Sequence, residues 1–156
     1  MIRGTTALVA HIGWPTHTFK APMIYNPYFE QAGVDAVVVP MGCKPEHYAA
    51  LLKAVFTLEN MRGALVTMPH KVTTLGLLDE ASAAVTIAGA CNAVRRAPDG
   101  RLQGDMFDGE GFVRGLRRKP NVRRHRRRAR AHARDAENPA RSQLSTGTTR
   151  ERWGGR

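Results

Sequence analysis

The sequence predicts an α/β fold: a mainly parallel sheet with helices on both faces, plus one β-hairpin. Two observations support this class. Short apolar runs alternate along the chain with longer segments whose apolar residues recur at helical spacing. The segment Ala97-Pro98-Asp99-Gly100 is a strong turn signal between two further short runs and is typical of a hairpin. Strands that alternate with helices of this length form crossover units, which build parallel sheets.

The first part of the chain contains three predicted strands, at residues 7–12, 34–41 and 63–67. The first strand ends at Gly13-Trp14-Pro15, and a polar loop follows it. Pro22 suits the first position of a helix because its missing N–H would have no partner there, and Gly33 ends that helix. A second helix covers residues 45–58 and carries an apolar face.

The second part adds shorter elements. They are, in order, a helix after Lys71, an Ala-rich helix that begins at Asp79 and Glu80 and ends near Gly89, hairpin strands at residues 92–97 and 101–105, and a loop at residues 108–116 that turns into a helix.

The charge divides the chain into two predicted regions. The formal net charge is +11, but residues 1–116 hold ten basic and ten acidic residues, whereas residues 117–156 hold fourteen basic and three acidic residues. We therefore predict a neutral α/β domain at residues 1–116 and a disordered, Arg-rich tail at residues 117–156.

The two cysteines, Cys43 and Cys91, form neither a disulfide framework nor a CxxC motif, so we expect free thiols in a reducing compartment. The N-terminus shows no signal-peptide pattern and the sequence no membrane-spanning run. These features predict a cytoplasmic protein.

Lys71 follows the third strand just beyond the break at Pro69. The carboxyl end of a parallel strand is where α/β sheets place ligand-binding side chains, which predicts that Lys71 reaches a crevice. A lysine exposed at an ordinary turn is the other interpretation of Lys71 taken alone. The neighbouring motifs favour the functional one.

Four motifs occur in a characteristic order over residues 7–116. They are Gly13-x-Pro15 before a polar loop and Pro22, Val66-Thr67-x-Pro69-x-Lys71, Gly89-Ala-Cys-Asn92, and Gly104-x-x-x-Asp108-Gly109-x-Gly111-Phe112. This series resembles the N-terminal substrate domain of the shikimate dehydrogenase family. The resemblance implies reduction of 3-dehydroshikimate to shikimate with NADPH. It places the catalytic pair at Lys71 and Asp108, with Thr67 and Asn92 bonding to substrate hydroxyls.

The predicted substrate pocket departs from the family pattern. The family usually carries two serines that bind the substrate carboxylate, and Phe19 and Ala21 stand at those positions. Neither side chain donates a hydrogen bond. Thr18 and Lys20 are candidates for binding the substrate carboxylate in a different way. We expect a modified or different hydroxy-acid substrate, and the alternative is a true shikimate enzyme with a compensated pocket.

No metal site is predicted. His17 and His70 flank the proposed site, but no third ligand stands at metal-like spacing, so surface or hydrogen-bonded histidines are the better interpretation. The family needs no metal. Oligomeric state is left open.

A cofactor-binding motif is missing from the sequence. The resemblance implies a following domain whose Gly-rich turn holds NADP, but no GxGxxG occurs, and we expect the chain to be inactive alone. Residues 117–156 have three possible origins: a broken reading frame, a basic arm that binds nucleic acid through phosphates, or the end of a module that borrows its cofactor domain from another chain. The alternative function is accordingly a non-enzymatic substrate-binding module with a basic nucleic-acid-binding arm.

Overall fold

A computed structural model describes residues 1–118. It contains six strands and five α-helices within those residues, which is one strand more than predicted. The strands are β1 (Ala7–Gly13), β2 (Ala36–Gly42), β3 (Met61–Val66), β4 (Glu80–Ala81), β5 (Ala93–Arg96) and β6 (Leu102–Asp105). The helices are α1 (Ala21–Gln31), α2 (Pro45–Val55), α3 (Lys71–Leu75), α4 (Ala83–Ala88) and α5 (Asp108–Arg118).

The six strands form one mixed sheet in the order β2-β1-β3-β5-β6-β4. β1 pairs in parallel with both β2 and β3, and β4 pairs in parallel with β6. β5 is antiparallel to β3 and to β6, so β5 and β6 form the predicted hairpin. The α/β class, the parallel β1–β3 core and the hairpin are confirmed.

The main core lies between the sheet and helices α2 and α4. Its fully buried members include Ile12 on β1, Tyr48 and Leu52 on α2, and Val85 on α4. Because each helix presents an apolar stripe at helical spacing, burial of that stripe fixes the helix against the strands. This packing holds the turns that follow β1 and β3 in place.

Helix α1 lies against β2 and is tied to it by one side chain. The Asn26 carboxamide donates to the Val38 carbonyl oxygen at 3.1 Å and accepts from the Val38 N–H at 2.7 Å. Gly33, just after α1, has φ +66°, a conformation that glycine adopts without a Cβ clash. The predicted end of this helix is confirmed.

The predicted Ala-rich helix from Asp79 is wrong at its start. Glu80 and Ala81 form β4 instead, and α4 begins only after the N-cap Ser82, whose hydroxyl accepts from the Val85 N–H at 3.3 Å. Pairing with the hairpin explains the difference. The Asp79 N–H donates to the Leu102 carbonyl at 2.9 Å, and its carboxylate accepts from the Leu102 N–H at 2.7 Å.

Backbone contacts divide the chain into two units, Met1–Gly109 and Glu110–Arg156. The first contains the whole sheet. In the second, the described residues continue α5, where Arg114 pairs with Glu110 at 2.6 Å. The predicted tail lies, apart from Arg117 and Arg118 in α5, outside the described residues. Within residues 1–118, no helix is long and apolar enough to cross a bilayer.

Candidate active site

The candidate site lies at one edge of the sheet. β1, β3 and β6 are parallel to one another, so their carboxyl ends meet at this edge together with the beginning of the antiparallel β5. The topology therefore brings together Thr67 after β3, Asn92 before β5 and Asp108 after β6. Lys71 opens α3 at the same edge. This is where open α/β sheets bind ligands.

The Asp108 carboxylate joins two of these residues. One oxygen accepts from the Lys71 ammonium, and the other accepts from the Asn92 carboxamide nitrogen at 2.6 Å. The Asn92 carboxamide oxygen accepts from the Phe107 N–H at 3.0 Å, which fixes the orientation of the carboxamide. All three side chains belong to the first unit of the chain. The predicted pair of Lys71 and Asp108, 37 residues apart, is an ion pair in the structure.

Backbone hydrogen bonds hold together the segments that carry Lys71, Asn92 and Asp108. The Cys91 N–H donates to the Lys71 carbonyl at 2.9 Å, and the Asn92 N–H donates to the Asp105 carbonyl at 3.1 Å. The Lys71 and Asp108 side chains remain 25% and 54% exposed, so a ligand can reach both. An ammonium has three N–H donors, which leaves Lys71 able to serve Asp108 and a ligand oxygen together.

The turns after β1 and β3 approach each other closely at Gly13. The Thr67 N–H donates to the Ile12 carbonyl at 2.9 Å, and the Trp14 N–H donates to the Met68 carbonyl at 3.0 Å. A Cβ at Gly13 would meet the Met68 carbonyl oxygen and the Phe19 ring, each at 2.9 Å, and would collide with the Thr67 methyl group. Glycine is required here because the two turns leave no space for a side chain.

Phe19 lies beside Thr67 and covers a buried histidine. Its ring stacks on His11 of β1, with centroids 4.2 Å apart and the planes inclined by 36°. His11 is buried, and its Nδ1 has no hydrogen-bond partner within residues 1–118. Burial lowers the pKa of the His11 imidazole. The His11 imidazole beneath the Phe19 ring is therefore uncharged near neutral pH.

A buried polar network supports the turn that carries Lys71. His70, 1% exposed, donates from Nε2 to the Cys43 carbonyl at 2.8 Å and stacks on Tyr48 with ring centroids 4.0 Å apart. The hydroxyls of Tyr48 and Thr74 are 2.6 Å apart, and Thr74 donates to the His70 carbonyl at 2.8 Å. Burial raises the pKa of Tyr48 to about 12. His70 is thus a hydrogen-bonded core residue that fixes the residue before Lys71.

The structure brings Lys71, Asn92 and Asp108 together and adds supporting residues that the sequence analysis did not name. Thr18 is exposed at the end of a 3-10 turn, Lys20 is the exposed N-cap of α1, and Ala21 is the first residue of α1. Within residues 1–118, none of the three forms a hydrogen bond with Lys71 or Asp108. His11 and Tyr48 lie inside apolar runs, where only a polar atom among hydrophobic neighbours could have signalled them. Their partners come from other elements, so spacing along the chain does not reveal the contacts.

No cofactor or metal ligand set is evident in the described residues. Gly109, Gly111 and Gly115 lie within α5 and so form helix, not a phosphate-binding turn. Among residues 1–118, no three His, Cys, Asp or Glu side chains cluster as metal ligands. Cys43 and Cys91 are buried free thiols, and burial raises the pKa of each.

The chain is similar to shikimate dehydrogenases in sequence. Residues 12–94 match the family model described as the shikimate dehydrogenase substrate binding domain. The shikimate dehydrogenase (NADP(+)) of Geobacter metallireducens is 37% identical over 115 residues, which are 74% of this chain and 40% of that protein. The chain thus spans about 40% of the length of the curated relatives it matches.

Solved structures of similar fold also include a shikimate dehydrogenase. Shikimate 5-dehydrogenase from Listeria monocytogenes, in complex with shikimate and NAD, matches with a TM-score of 0.69 and 31% identity, over 74% of this chain and 39% of that one. The ligand-free 5-ketofructose reductase of Gluconobacter sp. strain CHM43 matches with a TM-score of 0.68 and 27% identity, over 72% of this chain and 40% of that one.

Proposed function

Because the chain belongs to the shikimate dehydrogenase family, we propose that it binds the substrate of an NADP(H)-dependent oxidoreductase. The reaction is the interconversion of a shikimate-type hydroxy acid, or a close polyhydroxylated analogue of one, and its keto form. The name 5-ketofructose reductase, carried by one structural relative, supports the wider substrate range. The observation that carries the proposal is the Asp108 carboxylate shared between Lys71 and Asn92.

Lys71 is proposed as the proton-transfer group. Oxidation of a secondary alcohol removes a hydride from carbon and a proton from oxygen, and NADP supplies the hydride acceptor when it is bound. A neutral Lys71 amine takes the hydroxyl proton, and in reduction the ammonium returns it to the oxygen of the former ketone. Asp108 accepts a hydrogen bond from Lys71 Nζ and so holds that nitrogen in position for the proton transfer.

Thr67 and Asn92 are proposed to position the substrate hydroxyls. Within the described residues, the Thr67 hydroxyl bonds to no protein group, so it is available to a ligand. The Asn92 carboxamide has a second N–H beyond the one that Asp108 accepts. Two oriented groups next to Lys71 would fix which hydroxyl meets the amine, and such orientation accounts for much of an enzyme's rate. We assign no cofactor-binding residue within residues 1–118.

Ligand binding by the 156-residue chain tests this proposal without requiring turnover. We expect NMR titration with shikimate, and with its uncharged methyl ester, to move the amide signals of Thr67, Lys71 and Asn92 in a saturable way. Asn92→Ala should weaken binding of the tighter ligand by about 2- to 10-fold, because a hydrogen bond between uncharged groups contributes about 0.5–1.5 kcal/mol. Gln103→Ala, in the middle of β6, is the matched control and should bind normally. Absence of any saturable change with both ligands would refute the proposal.

A further inference from the structure

The aromatic ring of Phe19 forms part of the wall of the candidate site. The ring tip and the Thr67 methyl group converge on the same space above Gly13. Thr67 is a proposed hydroxyl-binding residue, so a ligand that reaches Thr67 also meets Phe19. The ring is half-buried, which leaves part of its surface available to a ligand.

The two basic side chains next to Phe19, His11 in space and Lys20 in sequence, are poor partners for a carboxylate. His11, stacked on the ring at 4.2 Å, is 7% exposed, and its Nδ1 has no partner within residues 1–118. Since burial lowers the pKa of His11, the imidazole is neutral near pH 7 and supplies no positive charge. Lys20, the adjacent cation, is exposed to solvent, where water and salt weaken its attraction for an anion.

We infer that the substrate meets Phe19 with an uncharged part that carries C–H groups, and is therefore a neutral polyhydroxylated ring compound, not a carboxylate. This inference rests on the proposed function and narrows its substrate class. The face of an aromatic ring is negative and the edge is positive, so C–H groups pack favourably on the face, whereas a carboxylate there is repelled. A carboxylate that lost water against the Phe19 ring would receive no hydrogen bond from the ring in exchange.

The polar groups of such a compound have partners at the same sheet edge. Lys71, Asn92 and Asp108 offer donors and acceptors to hydroxyl groups, and Thr67, directly after β3, lies at the same sheet edge with its methyl group next to Phe19. The site therefore combines an apolar wall with a hydroxyl-binding wall. This combination suits a ring with hydroxyls along one edge and an uncharged substituent at the other.

Shikimate and methyl shikimate provide a matched test, because they share a ring and differ in one charge. In NMR titrations of the 156-residue chain, we expect the methyl ester to bind at least 10-fold more tightly than shikimate. Phe19→Ser should strengthen shikimate binding by about 10- to 100-fold, as expected for a new hydrogen bond to a charged group. Phe19→Leu, which stays apolar, is the control and should keep the preference for the ester.

The outcomes separate this inference from the proposed function. Equal or tighter binding of shikimate by the unaltered chain would overturn the inference and leave the proposed function standing. Absence of binding by both ligands would overturn both. If Phe19→Ser does not fold, as judged by circular dichroism, the comparison of the two ligands on the unaltered chain and on Phe19→Leu decides alone.

Discussion

Lys71→Met should separate catalysis from stability. The Lys71–Asp108 ion pair is partly exposed, with side chains 25% and 54% accessible, and such pairs contribute about 0.2–1 kcal/mol to stability. Because Met roughly matches the length of Lys, the substitution should leave no cavity. For a domain of this size, a loss of up to 1 kcal/mol lowers the Tm by no more than about 5 °C. Thermal unfolding followed by circular dichroism measures this directly.

Lys71→Met should lower turnover far more than it lowers stability. The assay uses a chimera in which residues 1–116 precede the part of the Geobacter metallireducens relative that lies beyond the matched region. Reduction of NADP is followed with shikimate or its methyl ester, whichever reacts faster. Lys71→Met should lower kcat by about 100- to 10,000-fold, the usual contribution of a general acid or base. Asp108→Asn should cost a comparable factor, and the double variant should be little worse, because groups that act as a unit are not additive.

Lys53→Met is the matched control. Lys53 is an exposed lysine in the last turn of α2 and belongs to none of the proposed site contacts. Its substitution should change neither kcat nor KM. Near-normal turnover in the Lys71→Met chimera would refute the assignment of proton transfer, and Lys20 would become the next candidate. A fully multiplicative double variant would instead show that Asp108 does not act through Lys71.

Three further predictions concern the scaffold. Gly13→Ala should destabilise the fold by about 1–3 kcal/mol in chemical denaturation, since the new methyl group meets the Met68 carbonyl oxygen and the Phe19 ring at 2.9 Å; Gly4→Ala, in open space, should not. Because the pKa of Tyr48 is raised to about 12, an unfolded chain releases its tyrosine proton first, so the free energy of unfolding should fall by roughly 2–3 kcal/mol between about pH 10 and 12. Tyr48→Phe should remove that fall, whereas a persistent fall would implicate other groups. Removal of residues 117–156, which contain few large apolar side chains, should move the Tm by no more than about a degree or two, and a shift above about 5 °C would show that they stabilise the domain.

The parts of the fold that the sequence predicted depend on local pattern. The strand β1, the stop at Gly33 and the hairpin turn at Gly100 each follow from apolar periodicity or from a residue that tolerates positive φ. The sequence predicts helix at β4, and this prediction is wrong because the two residues of β4 pair with β6, a partner more than twenty positions away. Alanine favours helix locally, and the tertiary hydrogen bonds of Asp79 and Glu80 override that preference.

In the candidate site, too, the sequence motifs predict some features, whereas others depend on tertiary contacts. The motifs predict that Lys71 and Asp108 act as a pair, and the parallel topology accounts for their meeting at one edge of the sheet. The stacking of Phe19 on His11 could not be predicted, because it depends on how the loop before α1 folds back over β1. The absence of a donor at residue 19 was visible in the sequence. The residue that the Phe19 ring contacts became apparent only in three dimensions.

The Asn26 side chain has a consequence for how the sheet meets other molecules. β2 is an outer strand of the sheet, and an outer strand offers unpaired peptide groups to any extended chain that approaches. The Asn26 carboxamide occupies both the N–H and the carbonyl of Val38, and Pro40, two residues on, has no N–H to offer. The opposite outer strand, β4, is only two residues long. At Val38 a foreign strand would have to displace the Asn26 side chain before it could pair, so this edge is protected against edge-to-edge aggregation.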